Sequence, residues 1–137
     1  MATAPTFVGT PKIGLAQILP ADTTSAKTVV TAGASGSKIT GIVATSTDTV
    51  ARVVTLSLVR SAVSYPLGAV TVALASGTDG VTPTTTFLGT TLLPGIPVDN
   101  DGQPYLFMQS GDTLTVASAV TVTAAKAVAV TAVYGDF

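Results

Sequence analysis

The strongest constraint on the fold is the alternation of apolar residues with threonine and alanine along most of the chain. Between residues 105 and 134 the pattern occurs three times, in segments 105–108, 113–117 and 126–133. A period of two residues and many β-branched side chains are typical of β-strands. The first two segments are separated by Ser110-Gly111-Asp112, which suits a tight turn. The region predicts three consecutive strands that close an antiparallel sandwich.

Six earlier segments have the same character and predict further strands. They are residues 12–19, 27–32, 38–45, 50–60, 67–74 and 82–93. A connection at 61–65 precedes the fifth segment, with Pro66 marking the start of that strand, and a bend is expected at Gly89 in the sixth. Turn-forming residues separate these segments, and no stretch has a helical period. We therefore predict an all-β chain, an antiparallel, jelly-roll-like β-sandwich of about eight strands that forms one domain over residues 12–137.

Segment 50–60 gives the clearest prediction of which side chains face the core. Its alternation places Val54, Leu56 and Leu58 on one face, so these three residues are expected to be buried. Arg52 and Arg60 lie near the ends of the same face. Their long side chains either reach solvent where the strand leaves the sandwich or contact a partner protein.

The first eleven residues predict an extended N-terminal arm. Pro5 and Pro11 favour extended backbone, and Phe7-Val8 is the one bulky apolar pair in this region. A solvated tail would not need that pair, so Phe7 and Val8 are candidate contacts with a partner, and a frayed terminus is the alternative. The segment has neither the basic region nor the continuous apolar region of a secretory signal peptide.

The scarcity of charge indicates assembly with other protein subunits. Charged residues make up 9% of the chain and hydrophobic residues 47%, whereas soluble domains carry about 25% charged residues. Every apolar run is interrupted well before the roughly 20 residues that a membrane-spanning helix needs, so we expect no membrane partner. The net charge of −1 gives no attraction for nucleic acid. Depletion of charge is typical of protein interfaces, and we expect a homo-oligomer.

The residue types argue against an enzyme and against a cofactor. The chain contains no cysteine and no histidine, which excludes thiolate and imidazole metal ligands and the usual bases of nucleophilic catalysis. One candidate cation site remains, at Asp99-Asn100-Asp101-Gly102, because Asp99 and Asp101 could supply carboxylate oxygens. Position twelve of an EF-hand loop starting at Asp99 would be Ser110 instead of glutamate. An ordinary turn closed by aspartate side chains is the alternative.

Several short motifs resemble small structural proteins of tailed bacteriophages. They are Met1-Ala-Thr-Ala-Pro-Thr6, Gly9-Thr-Pro-Lys12, Thr31-Ala-Gly-Ala-Ser-Gly-Ser37, Gly111-Asp-Thr-Leu114 and Gly135-Asp-Phe137. The resemblance implies a virion component, made in the host cytoplasm without a signal peptide. It points to a capsid decoration (cement) protein with a β-sandwich or jelly-roll fold. Such a protein binds the outer surface of the major capsid protein lattice, often as a trimer.

Two alternative functions stay open at this stage. One is a neck, tail or fibre-base component of the virion, which would contact neighbouring virion subunits. The other is a surface module that binds carbohydrate or a receptor, which would be expected to show clustered exposed aromatic residues. The chain has three tyrosines and four phenylalanines from which to build such a cluster.

Overall fold

The structure, a computed structural model, describes residues 9–137. Within this range the chain forms nine β-strands and one turn of 3₁₀ helix at Pro20–Asp22. The strands are β1 (Thr10–Ile18), β2 (Lys27–Thr31), β3 (Ser37–Ser46), β4 (Arg52–Arg60), β5 (Val63–Val72), β6 (Thr85–Thr86), β7 (Leu106–Met108), β8 (Thr113–Ser118) and β9 (Val128–Asp136). The predicted all-β architecture is confirmed.

The strands form two antiparallel sheets that pack face to face. Sheet A has the order β1-β9-β3-β6, and β7 pairs with β3 along the same edge as β6 but nearer the other end of the strand. Sheet B has the order β2-β8-β4-β5. One side of the sandwich is therefore bounded by β1 and β2, and the opposite side by β5, β6 and β7.

The pairing order is that of a jelly roll. Counted inward from the two ends of the chain, β1 pairs with β9, β2 with β8, β3 with β7 and β6, and β4 with β5. Strands β1 and β3 lie in sheet A, and strands β2 and β4 lie in sheet B. Each of them therefore pairs with later strands of its own sheet. This nesting matches the double-sheet jelly-roll architecture.

The core lies between the sheets and consists mainly of aliphatic side chains. Its fully buried large residues are Ile18, Val30, Ile39, Ile42, Val54, Leu56, Val72, Phe87, Leu114, Val116, Val122 and Val128. Both sheets contribute to this cluster, as the alternation of inward and outward side chains in a sandwich requires. The prediction that Val54 and Leu56 are buried is confirmed, while Leu58 is half-buried and packs at the margin of the core.

Two predicted strand boundaries are wrong. Of the segment 82–93, only Thr85–Thr86 pairs with another strand. The following residues turn instead, and the Leu93 N–H donates to the Gly89 carbonyl at 2.8 Å. The Phe87 N–H still donates to the Ile42 carbonyl of β3 at 2.9 Å, but Leu88 and Leu93 are buried beyond this pairing. Apolar residues that anchor a loop therefore gave the same pattern as a strand.

Strand β5 begins earlier than the sequence indicated. The predicted connection 61–65 is reduced to a two-residue turn at Ser61-Ala62, whose positive φ angles of 52° and 64° fit the twist of a tight hairpin. Pro66 consequently lies inside β5 rather than at its start. The strand tolerates it because β5 is an edge strand and the pairing register shifts at the next residue, Leu67, which forms a bulge.

The boundary of the N-terminal arm also moves. Strand β1 begins at Thr10, and Pro11, expected in the arm, is paired with Gly135 of β9. Just before the strand, the Gly9 N–H donates to the Asp136 carbonyl at 2.8 Å. The candidate partner contacts Phe7 and Val8 lie outside the described residues.

Strands β1 and β2 approach closely at Gly14. This residue faces inward and is buried, and a β-carbon at its position would collide with the Val29 carbonyl oxygen of β2. Glycine is therefore required here by the close approach of two backbones. The contact closes the β1–β2 side of the sandwich, where the two edge strands would otherwise diverge.

Candidate interaction surfaces

Arg52 belongs to a buried network centred on Asp48. Its Nε donates to Asp48 Oδ2 at 2.7 Å, and its Nη2 donates to the Thr123 hydroxyl at 2.8 Å. Thr123 in turn donates to Asp48 from its hydroxyl at 2.7 Å and its N–H at 3.1 Å. Burial raises the pKa of Asp48, but the bonds from Arg52 and Thr123 outweigh it and hold the pKa well below its ordinary value.

The Asp48 network ties together two connections between the sheets. Asp48 lies between β3 and β4, where the chain passes from sheet A to sheet B. Thr123 lies between β8 and β9, where the chain returns to sheet A. The Arg52 side chain is 11% exposed, so its charge serves this junction and little of it faces solvent.

Arg60 forms a two-point ion pair with the buried Asp112. Its Nε and Nη2 donate to the two carboxylate oxygens at 2.7 and 2.6 Å, and the Gln109 N–H donates to the same carboxylate at 2.9 Å. The bond from Arg60 lowers the pKa of Asp112 in spite of burial. Because the Arg60 side chain remains 46% exposed, the predicted partner contact at this residue stays a prediction.

The outer face of sheet A exposes several aliphatic side chains and has no charge in its central rows. Three rows of paired residues cross this face, and none of their residues is charged. The rows consist of residues 13, 133 and 41, of residues 15, 131, 43 and 86, and of residues 17, 129 and 45. Ile13 is 66% exposed, Leu15 71% and Val133 49%. A shallow groove of about 390 Å³ runs along β1 and β9 beside Leu15. Exposed aliphatic residues clustered in this way are typical of protein interfaces.

An aromatic cluster lies at one end of this face. Phe107 of β7 is 55% exposed and makes an edge-on contact with Tyr105, with ring centroids 5.0 Å apart. Phe137 lies on its other side at 5.8 Å. The Lys38 ammonium sits 4.7 Å from the centre of the Tyr105 ring, a cation–π arrangement.

The outer face of sheet B is also uncharged in its central rows, but its side chains carry hydroxyl groups. Two rows cross strands β2, β8 and β4 on this face. The first row consists of Thr28, Thr115 and Ser57, and the second of Thr31, Thr113 and Val59. The face continues onto β5 with Ser64 and Thr71. Hydroxyl groups keep their hydrogen bonds with water. The face also carries an apolar residue, Val53, which is 43% exposed.

An apolar pocket opens on the side of the sandwich bounded by β5 and β7. Its volume is about 250 Å³, and it is lined by Leu67 of β5, Leu106 of β7 and residues 93–97 of the long connection between β6 and β7. Gly68 lets this connection approach β5, because a β-carbon there would meet the Leu93 side chain. No charged residue lines the pocket.

The candidate cation loop has the geometry of a turn. One carboxylate oxygen of Asp99 accepts hydrogen bonds from the N–H groups of Asp101 and Gln103, each at 2.9 Å. Gly102 closes the turn with a positive φ of 79°. Within residues 9–137, no group of three or more acidic residues is arranged to hold a metal ion.

Sequence reasoning did not identify the aromatic cluster, the pocket or the Asp48 junction. Phe137 is distant in sequence from Tyr105 and Phe107, and the three rings meet because β7 and β9 flank the same strand, β3. Asp48 precedes Arg52 by four residues, a spacing that offers a weak signal for an ion pair in a turn. Thr123, the third member of that junction, carries no signal at all.

Comparisons with protein-family models, with curated proteins and with solved structures find no match to this chain. None of the helical segments in residues 9–137 has the length and apolar character required to cross a membrane.

Proposed function

We propose that this protein is a non-enzymatic structural component of a tailed-bacteriophage virion. In this proposal it is a capsid decoration protein that binds the outer surface of the major capsid protein lattice and stabilises the head. It is carried on the capsid surface as a homo-oligomer, and the resemblance implies a trimer. The observation that supports the proposal best is the set of three charge-free central rows on the outer face of sheet A, with their exposed aliphatic residues. A jelly-roll sandwich with such a face is suited to lie flat against another protein.

The energetics of this face favour a large, shape-matched protein partner. Ile13, Leu15 and Val133 offer apolar area that gains roughly 25 cal/mol for each Å² removed from water. Because the three rows contain no charge, covering them leaves no ion without its hydration. A regular lattice of capsid subunits would present the same complementary surface many times over.

The test is binding to undecorated heads assembled from the major capsid protein of the same genome. Co-sedimentation should show saturable binding of the full chain at micromolar concentration. Leu15→Asp places a charge on the outer face of edge strand β1 and should weaken binding at least tenfold. Thr71→Asp is the matched control, since Thr71 points outward from edge strand β5 of sheet B, and it should bind within twofold of the parent protein. No binding by the parent protein, or equal binding by both variants, would refute the proposal.

A second candidate function is supported by the aromatic cluster. Phe107 presents more than half of its ring to solvent between Tyr105 and Phe137, and exposed aromatic rings with a nearby polar group suit a sugar or a receptor surface. Under this alternative, Phe107→Ala would abolish binding to a glycan array while leaving attachment to heads unchanged. Binding to heads without any glycan binding would favour the decoration protein.

A further inference from the structure

The aromatic cluster exposes one of its rings far more than the other two. Phe107 is 55% exposed, while Tyr105 and Phe137 are half-buried. The rings of these two neighbours are inclined to Phe107 by 66° and 44°, so neither of them stacks flat on it. Aromatic rings contribute a large apolar contact area, and the flat C–H face of a sugar ring is a matching surface. Phe107 therefore has the character of a platform for a saccharide.

Polar groups without a protein partner lie around the exposed ring. Among residues 9–137, no hydrogen bond engages the Tyr105 hydroxyl or the side-chain amide of Gln109. Gln109 is exposed and follows Phe107 by two residues, a spacing that places both side chains on the same side of an extended chain. A hydroxyl and an amide together can donate to and accept from the hydroxyl groups of a saccharide.

Lys38 supplies a positive charge at the same place. It is directly opposite Phe107 in the pairing of β3 with β7, and its ammonium lies 4.7 Å from the centre of the Tyr105 ring. None of the ion pairs among residues 9–137 includes it. The cation–π contact restricts the lysine side chain before a ligand arrives, which reduces the entropy cost of binding.

Two carboxylates at this end of the sandwich are already neutralised. Asp136 lies one row from Lys38 in sheet A and is paired with Lys12 at 2.6 Å. Asp112, in the turn after β7, is paired with Arg60 at 2.6 Å. Since both acids have a cation of their own, Lys38 is left to balance the charge of a ligand.

The hairpin formed by residues 97–105 carries two further aspartates of this region. Asp99 binds N–H groups of the turn with its carboxylate, and Asp101 lies at the tip, beyond the Val98–Pro104 bridge. Extended chain rises about 3.3 Å per residue, so Asp101 is roughly 10 Å along the hairpin from Tyr105. Charges in solvent are screened over about 8 Å at physiological salt. The tip therefore does not cancel the charge of Lys38 at the ring.

We propose that this cluster binds acidic saccharides, with one sugar ring packed on Phe107 and the sugar carboxylate on the Lys38 ammonium. Gln109 and the Tyr105 hydroxyl bind the sugar hydroxyl groups. The inference rests on the second candidate function, the binding of a glycan, and adds the chemical class of the ligand. An acidic peptide shares the carboxylate but lacks the flat C–H face that suits the exposed ring. A polymer of such sugars engages several copies of an oligomer at once, which strengthens a weak single contact.

Titration calorimetry with a matched pair of ligands tests the role of charge. The probes are a galacturonic acid oligomer and the same oligomer with its carboxylates methyl-esterified, which keeps the sugar rings and removes the charge. The parent chain should bind the acid at least fivefold more tightly than the ester, and high salt should abolish this difference. Lys38→Gln should bind both oligomers as weakly as the parent binds the ester. The control is Lys126→Gln, in the connection between β8 and β9, which should bind the acid within twofold of the parent.

Phe107→Ala tests the contribution of the ring. Because the ring is largely exposed, this variant should keep the melting temperature of the parent chain, yet bind both oligomers at least tenfold more weakly. Equal binding of acid and ester by the parent, lost in Phe107→Ala, would overturn the acidic class and leave glycan binding intact. A glutamate oligomer bound as tightly as the acidic sugar would overturn the saccharide class. Failure to bind either sugar would overturn this inference together with the second candidate function, whatever the outcome of binding to heads.

Discussion

The two outer faces of the sandwich have the same backbone geometry and the same lack of charge in their central rows, but they differ in the chemistry of their side chains. The face of sheet A exposes aliphatic groups at Ile13, Leu15 and Val133, whereas the face of sheet B exposes the hydroxyl groups of residues such as Thr28 and Thr71. Hydroxyl groups remain hydrogen-bonded to water, while aliphatic groups gain free energy when water is removed.

The difference shows how a chain with few charges can give its two faces different affinities for water. Alternation along each strand places one set of residues in the core and the other set outside. Choosing threonine or leucine for the outer set then determines how much apolar area the face exposes to water. Charge is left for the strand ends and connections, where Asp48, Asp112 and Asp136 accept bonds from Arg52, Arg60 and Lys12.

The largest effect is expected from Asp48→Asn, because the two faces form one unit only while the sheets stay joined. The substitution removes the carboxylate charge that Arg52 and Thr123 bind and leaves the guanidinium poorly paired in a mostly buried site. Removing one partner of a buried ion pair typically costs about 3–5 kcal/mol. Urea unfolding should therefore give a free energy of unfolding lower by about this amount. An effect below about 1 kcal/mol would show that Asp48 is not what joins the connections.

Acid unfolding provides a second readout of the same junction. The pKa values of Asp48, Asp112 and Asp136 are all lowered in the folded protein. Their contribution is therefore complete above the ordinary aspartate pKa of about 3.9 and is lost as the pH falls through the lower folded-state values. The free energy of unfolding should be nearly constant from pH 7 to about pH 5 and decrease below about pH 4. Asp48→Asn should make that decrease less steep.

The second prediction tests which side of sheet B is the outer one. Leu56 is fully buried, while Thr55, its neighbour on β4, points to the opposite face. Leu56→Ala should lower the free energy of unfolding by roughly 2–5 kcal/mol through lost burial and a residual cavity. Thr55→Ala should stay within about 0.5 kcal/mol. Denaturant titrations that reverse these magnitudes would place the hydroxyl groups inside and remove the contrast between the faces.

The third prediction converts part of one face into the other, with the smallest effect on stability. In a double variant, Ile13→Thr with Leu15→Thr, the exposed positions of β1 gain the hydroxyl chemistry of sheet B. Because both residues are largely exposed, the free energy of unfolding should change by less than about 1 kcal/mol. Attachment to heads should nevertheless weaken at least tenfold. Retained attachment, measured by co-sedimentation, would mean that the aliphatic face of sheet A is not the binding surface.

The sequence predicted the parts of the fold that depend on local pattern. The alternation in 50–60 located β4 and the burial of Val54 and Leu56, and Ser110-Gly111-Asp112 marked a turn in which Gly111 has a positive φ of 88°. The same reasoning failed at 82–93 because burial of Leu88 and Leu93 beneath a loop gives the same local pattern as a strand. Pro66 was misplaced because the bulge at Leu67 shifts the alternation by one residue, so residues 63–66 do not continue the pattern of Val70 and Val72.

The candidate surfaces could not be predicted because they depend on which strands become neighbours. Ile13 and Val133 meet across β1 and β9, 120 positions apart in the sequence, and nothing near either residue indicates the other. The pocket likewise requires the bulge at Leu67 to face a connection that arrives from the other sheet.

The position of β9 between β1 and β3 has a consequence for the time course of folding. Strand β1 ends at Ile18, yet its partner begins at Val128, so ribosomes that add about 5–20 residues per second need roughly 5–20 s to supply it. Until then β1 has no strand to pair with, and the nascent chain exposes Ile13 and Leu15 together with unpaired backbone. Sheet A must therefore form after synthesis of residues 128–136, through distant contacts that fold slowly. A chaperone that shields the first twenty residues during translation would raise the yield of folded protein more than one acting after chain release.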